Sequence, residues 1–514
     1  METRFLDNPQ NVERTVHSPA VSSISSSKSF RLAVIALLIA SIGAFYLATI
    51  RQGHAWGDDF ALYIQEAKDI ANGVSYRHSN YIPNPQRADV GPQAYPPIYP
   101  LLLSPVYALF GLNLTDMKVE NTLFFMAFLF VFFLIVNEEL TMPYCVAAIA
   151  TVGFSPILWD FKDNVLSEIT FTFFVYLCLF WALRIFQTNS DQPSFWSAVL
   201  LALFIFLSFG TRTLGIALIP ALFCSEVVNK KKLPRFSVLV TLLFLIPWFL
   251  QRKFSLSESN YMAMLDGHPL GVRGFVSNLD AYLRDLAGFW ENGYSNIAHR
   301  VLFVVFSGLS AMGYASRFLK RQASIMEFYA PFYILAVLLW PFHSGIRFLI
   351  PVLPLYVFYG YLGLSLIRFG RAWKLQNLAF IASILSIALS YAGQYSKANF
   401  GPIPGGIGKA ETQEFFQYVR GHTEPNAIIV FRKPKALGLF GERQSSAYPP
   451  NATDQETWEY IDRIHAAYLV EGPIDELSWH IFLGRNKARL SEVYSNTDFK
   501  LYRVIVGASL SPDP

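Results

Sequence analysis

Cysteine and charge are both scarce in this chain. Its three cysteines, Cys145, Cys178 and Cys224, lie inside apolar runs, and an odd number without paired spacing supports neither a disulfide framework nor a zinc site. Charged residues make up 15% of the 514 positions, against about 25% in soluble proteins, while 53% are hydrophobic. Lys and Arg number 41 against 37 Asp and Glu, so the net charge of +4 builds no broad basic surface and no nucleic-acid partner is expected. There is also no internal repeat long enough to suggest a transporter of two matched halves. What is abundant is Leu, Phe, Ile, Val and Tyr, in long runs that a water-soluble core of this size has no means of burying. The composition excludes a single soluble domain and indicates a polytopic membrane protein.

A helix needs about 20 apolar residues to cross the hydrocarbon of a bilayer. Eleven spans fit the sequence, near 32–50, 119–136, 144–158, 166–186, 195–210, 211–228, 236–250, 301–316, 328–342, 348–367 and 375–395. The stretch 195–228 is too long for one helix and too short for two plus a loop, so a hairpin turning at Gly210, Thr211 and Arg212 is expected. The polar, Ser-rich residues before the first span read as a disordered cytoplasmic arm, 1–30. The first run is long for a signal-peptide core and no small-residue cleavage pattern follows it, so it reads as an uncleaved span. The expected fold is thus an all-α membrane bundle over 31–395, with a further segment, 396–514, behind it.

Short loops rich in Lys and Arg stay in the cytoplasm. Three such loops, Lys230, Lys231, Lys232 with Arg235, Arg317 with Lys320 and Arg321, and Arg368 with Arg371 and Lys374, fall on one side when eleven spans are threaded, beside Lys28 and Arg31. That threading puts the amino terminus in the cytoplasm. It sends outside the long loops 51–118 and 251–300, the short turns 159–165 and 343–347, and everything from Ser396. The outer segment opens on a Gly/Pro linker, Gly401 to Gly408. Helix-like Ala410 to Arg420 then alternates with strand-like 427–431, 466–471 and 499–506, which predicts a small extracytoplasmic α/β domain.

The outer face carries the unusual chemistry. In Ala55 to Gly73, Asp58 can cap a helix, Phe60, Tyr63, Ile64 and Ala67 recur at helical spacing, and Asn72-Gly73 ends it. This predicts a short amphipathic helix in the membrane interface with Asp58 and Asp59 at its amino end. Two neighbouring anions raise one another's proton affinity, as general-base work at neutral pH requires, although a plain capping pair has the same spacing. The next segment, Ala94 to Gly111, is apolar but broken by Pro96, Pro97, Pro100 and Pro105, which predicts a second interfacial piece packed against the first, or a loop anchored in lipid.

Asp58-Asp59 followed by Tyr63, then Tyr95-Pro96-Pro97 leading into a Leu-rich stretch, Ser167-Glu168 opening a span and Arg347 to Pro351 opening another resemble integral-membrane GT-C glycosyltransferases. The similar branch is that of the protein O-mannosyltransferases and the bacterial lipid A aminoarabinose transferase. The likeness covers order, topology and tail. It implies an enzyme moving a sugar from a polyprenyl-phosphate carrier to a lipid, glycan or protein acceptor on the non-cytoplasmic face, in a membrane such as the bacterial inner membrane. Carried over by position, Asp58 becomes the base and Asp59 the orienting carboxylate, or the reverse, and Tyr63 a substrate contact. Where that branch often has Lys or His before the Pro-Pro pair, this chain has the neutral Tyr95, named with Tyr63 as a substrate contact. Arg443, within Gly438 to Pro449, falls in a tail segment that resembles the branch and is named for acceptor contact; an ordinary loop would look the same.

A polyprenyl-phosphate leaving group needs fixed cations at the membrane surface. Arg347 is the first choice, with His343 and Arg212 behind it and Arg77 and His78 weaker, although an outer-end arginine is equally read as a snorkelling anchor. Asp160, Lys162, Asp163 and Glu168 cluster beside two span ends, and Glu168, next to an apolar run, needs a partner or water: it can orient a sugar, hold a lysine or arginine, or lie in a solvated turn. A divalent cation could bridge Asp58 or Asp59 to this cluster, but no ligand spacing requires a metal or other cofactor. Asn113 and Asn451 fit the glycosylation acceptor pattern. A transporter or flippase for lipid-linked sugars is the alternative; it predicts ionisable residues near mid-membrane, whereas the strongest polar candidates here crowd one surface. A catalytically silent scaffold is a third reading.

Overall fold

The computed structural model describes residues 28–75, 79–187, 193–230, 233–254, 271–291, 296–367 and 373–505. Arg77, His78, Lys231, Lys232, Arg368, Arg371, most of the expected arm and part of the second long loop lie outside the described residues.

Each of the eleven expected spans coincides with an apolar helix. Seven helical segments are long and apolar enough to cross a membrane: Lys28–Ala48 (α1), Leu114–Val136, Glu168–Gln187, Thr213–Lys230, Arg235–Arg252, Ile297–Leu319 and Leu375–Tyr395. Among the described residues, the shorter apolar helices Met142–Gly153, Phe195–Thr211, Ile325–Leu338 and Leu353–Leu366 overlap the other expected runs. Outward faces such as Leu242, Ile246 and Phe249, or Val301, Val304 and Val305, are exposed and apolar, as a bundle bathed in hydrocarbon requires. Inside, Asn296–Leu319 and Leu353–Leu366 cross closely. A Cβ on Gly313 or Gly363 would collide with the backbone of Tyr359 or Leu309, so only small residues permit this approach.

Two expected boundaries move for physical reasons. The tenth span does not begin at Phe348. A 3-10 turn, Gly345–Phe348, precedes it and the helix starts at Leu353, with Pro354 in the first turn, where its missing N–H is harmless. The 195–228 hairpin does turn at Arg212, between Phe195–Thr211 and a 3-10 turn at Thr213–Ala217.

The first outer loop forms two helices, Asp59–Ala71 (α2) and Ile98–Phe110 (α3). The helix α2 is not the surface-lying amphipathic helix that its apolar spacing predicts. Phe60, Tyr63, Ile64 and Ala67 are buried, and so are Gln65, Glu66 and Asp69 on the remaining faces. It is sandwiched between α3 and the tail helix Pro434–Phe440, with Tyr63 stacked on Tyr95 and Phe60 packed near Phe440. The helix α3 does pack on α2, and exposes Leu101, Leu109 and Phe110. Pro105 lies inside it and withholds the N–H that Leu101 would accept; the Ser104 hydroxyl donates to that carbonyl instead, at 2.9 Å.

Beyond the bundle the chain forms strands Ile428–Val430 (β2), Gln444–Ser446 (β3), Tyr468–Glu471 (β4), Leu490–Ser495 (β5) and Lys500–Val504 (β6). They match the expected strand segments and add two. A sixth strand, Tyr81–Ile82 (β1), comes from the first outer loop and pairs in parallel with β3, giving the order β1-β3-β2-β4-β6-β5. The strands β1, β3, β2 and β4 are parallel, so their carboxyl ends open toward the same side. The Gly/Pro segment is no loose linker either. Ile403 and Ile407 donate their N–H groups to Gln52 and His54, and Gly406, at φ +67°, presses on the His54 carbonyl where any side chain would collide. These bonds tie the Gly/Pro segment to Gln52 and His54, just ahead of the acidic pair.

Candidate active site

The residues that could act chemically meet where α2, two span ends and the carboxyl end of β2 converge. Asp58 occupies the position before α2 but makes no capping bond with its side chain. Its Oδ1 accepts the N–H of Ala436 at 3.1 Å, while its Oδ2 is buried and has no hydrogen-bond partner among the described residues. Burial raises the Asp58 carboxyl, against the pull of Lys435, Lys433 and the Ala436 amide.

Asp59 has the opposite environment. Its Oδ1 accepts the Tyr95 hydroxyl at 2.6 Å, its Oδ2 accepts Arg347 Nη1 at 3.0 Å, and Lys435 Nζ lies 3.8 Å away. Burial pushes its carboxyl up, but Arg347, Lys435 and the Tyr95 hydrogen bond outweigh that and hold it well below the usual carboxylate range. The two neighbouring carboxyls are therefore shifted in opposite directions. Unequal cation contact, more than like-charge repulsion, separates the two.

Glu168 finds its partners in two arginines. Arg347 Nε and Arg212 Nη1 both donate to Oε1 at 2.5 Å, and Oε2 is buried without a hydrogen-bond partner among the described residues. Arg212 also reaches Ser167, whose hydroxyl lies 2.9 Å from that of Tyr63, and lies over the Phe348 ring. Three cations, Arg212, Arg347 and Lys435, thus face two carboxylates, Glu168 and Asp59. Arg347 already links the carboxylates that a bridging metal would share, and among the described residues no group of three or more His, Cys, Asp or Glu side chains is placed to hold a metal ion.

The remaining candidates are not all brought in. Asp163, itself held by Lys162, binds the backbone N–H and guanidinium of Arg51, and Asp160 binds the same guanidinium, which fixes the start of the first outer loop. His343 stands apart, bonded to Asp285 at 2.7 Å and packed on Tyr282. Arg443 is buried in the tail, donating to Thr423 and the Arg420 carbonyl. Asn113 accepts the N–H of Thr115 as the cap of a span.

The acidic pair and Arg347 line a cavity of about 290 Å³ together with Asp89, Arg432 and Lys433. Asp89, Arg432 and Lys433, with Lys435, were not among the expected residues. Lys435 is fully buried, donates to the Val90 carbonyl and the Tyr95 hydroxyl, and sits over the Tyr95 ring. It brings a cation to the place where position 95 lacks one. The available signal was the run Arg432-Lys433-Pro434-Lys435 directly after a strand, because ligands of open α/β sheets gather at carboxyl strand ends. His54 closes the floor: burial pulls its imidazole down to about 4, leaving it neutral, with Nδ1 facing the Ala55 carbonyl and Nε2 accepting the Val165 N–H.

No protein-family model and no curated protein sequence matches the chain. Solved structures do. ArnT from Cupriavidus metallidurans bound to undecaprenyl phosphate superposes with a TM-score of 0.59 at 12% identity, covering 92% of this chain and 98% of that one. The archaeal oligosaccharyltransferase AglB from Archaeoglobus fulgidus, in complex with an inhibitory peptide and a dolichol-phosphate, gives 0.55 at 11% identity over 86% of this chain and 70% of that one. The mycobacterial arabinofuranosyltransferase AftD gives 0.52 at 13% identity, over 92% of this chain and 41% of that one. The chain has the fold of these membrane glycosyltransferases, which is the fold the GT-C resemblance implies.

Proposed function

We propose that this protein transfers a sugar from a polyprenyl-phosphate carrier to an acceptor on the non-cytoplasmic membrane face. The observation that carries the reading is the unequal carboxylate pair inside a cation-rich cavity at one end of the bundle. Asp58 takes the proton from an acceptor hydroxyl or amine, whose oxygen or nitrogen bonds to the anomeric carbon. The bond from that carbon to the phosphate oxygen breaks with its electron pair, and polyprenyl phosphate leaves on the opposite face, so the anomeric configuration inverts. Arg347, Arg212 and Lys435 stabilise the charge that grows on the phosphate, and Asp59 holds Arg347 and Tyr95 in place. Structures of the same fold carry undecaprenyl phosphate or dolichol-phosphate, which supports a lipid carrier as donor.

The orientation in this reading puts Lys230, Arg317 and Lys320 at the cytoplasmic end, opposite the cavity. A flippase for lipid-linked sugars is the competing class. Proteoliposomes supplied with doubly labelled polyprenyl-phosphate sugar separate the two: glycosylated acceptor formed in step with released polyprenyl phosphate is expected, whereas intact carrier crossing the bilayer with its sugar attached would overturn the assignment.

A further inference from the structure

A second and larger cavity, about 640 Å³, lies beside the first at the carboxyl edge of the sheet, and Asp89 and Arg432 line both. Its volume falls within the roughly 300–1,000 Å³ of small-molecule sites. None of the residues assigned to proton transfer or phosphate stabilisation lines it.

Its wall alternates in charge. Arg87, which follows β1, pairs with Asp89 at 3.1 Å and with Glu476 after β4; Arg432, after β2, lies 3.6 Å from Asp89 and 3.5 Å from Glu476. Three segments far apart in sequence are thereby fixed around one opening. Arg87 is only 3% exposed, and its Nη1 has no hydrogen-bond partner among the described residues. A buried guanidinium donor without a partner is costly unless something else accepts from it. Asp89 and Glu476 line the opening and keep side-chain exposures of 44% and 36%, which leaves them accessible to a ligand there. Phe342 and the exposed Leu477 supply apolar surface on the same wall.

Two guanidiniums against two carboxylates give no net charge. A phosphorylated ligand would gain from one pair and be repelled by the other, whereas a neutral polyol can donate to the carboxylates and accept from the guanidiniums at once. The apolar faces of sugar rings suit Phe342 and Leu477. We infer that this cavity is the acceptor subsite and that the acceptor is a neutral, hydroxyl-rich saccharide whose terminal ring passes between Asp89 and Arg432 into the Asp58 cavity. This rests on the glycosyl-transfer reading and narrows its acceptor from lipid, glycan or protein to a glycan.

The test uses the full-length protein in nanodiscs, titrated with neutral gluco-, manno-, galacto- and arabino-configured tri- to pentasaccharides and with the same chains carrying a terminal phosphate. Saturation-transfer NMR is expected to show binding of at least one neutral chain, tighter than its phosphorylated form. Glu476→Gln, which preserves shape, is expected to weaken it about tenfold or more, as is Arg87→Lys, each variant being shown folded by a cooperative unfolding transition above the assay temperature. Asp58→Asn is expected to leave binding intact. Absence of any neutral binder, tighter binding of the phosphorylated chains, or affinity unaffected by both Glu476→Gln and Arg87→Lys would overturn the inference. If transfer survives Asp58→Asn while saccharide binding still depends on Glu476, the catalytic assignment falls and the subsite stands; if transfer needs Asp58 but no saccharide binds, the reverse holds.

Discussion

Asp58 accepts the backbone N–H of Ala436, 378 residues further along the chain, at 3.1 Å. That bond brings the tail into the wall of the proposed catalytic cavity, because the helix that holds Ala436 also brings Lys435 to Asp59 and Tyr95. Chemistry at the acidic pair is therefore expected to depend on residues that no local reading of the first outer loop would reach.

Lys435 lowers the proton affinity of Asp58 through space. Lys435→Met keeps the length and apolar stem of this fully buried side chain and removes the charge. Asp58 then protonates at higher pH, and since only its ionised form accepts a proton, the acid limb of the transfer rate is expected to move to higher pH. A pH–rate profile of kcat/KM in the purified variant checks the direction; an unmoved limb contradicts the assignment of Asp58 as base.

Arg347 joins Asp59 to Glu168 by two differently placed donors, which a lysine ammonium does not reproduce. Arg347→Lys is expected to lower the transfer rate by about 10²–10³-fold, the scale of losing one preorganised donor to a developing oxyanion. Glu168→Gln is expected to loosen both Arg347 and Arg212, and the double variant to lose less than the two single losses combined. Single-turnover kinetics on all three proteins measure the coupling.

Gly363→Ala places a methyl group against the Leu309 carbonyl at the closest helix crossing. Overpacking of this kind costs about 1–3 kcal/mol. A lower unfolding midpoint in detergent is expected, with donor affinity unchanged in the protein that remains folded.

Much of the bundle was legible because apolar run length is a direct record of what the bilayer demands, and the expected runs overlap apolar helices. The span-end charges were legible for the same reason: an ionisable group beside hydrocarbon needs a partner, and Glu168, Arg212 and Arg347 proved to be one another's. The burial of α2 was not, since Gln65, Glu66 and Asp69 have polar spacing that local periodicity assigns to solvent, while the covering helix lies in the tail. The strand β1, two residues long, carries no pattern of its own. Lys435 reaches Tyr95 across 340 positions, and a basic run after a strand was its one trace in the sequence.

The central claim is that Asp58 removes the acceptor's proton while neighbouring cations hold the carrier phosphate. Single-turnover transfer from labelled polyprenyl-phosphate sugar by Asp58→Asn, measured alongside donor binding, addresses it most directly. The account predicts a rate about 10²–10⁴-fold below that of the unaltered protein with donor affinity retained; transfer at the unaltered rate would contradict it.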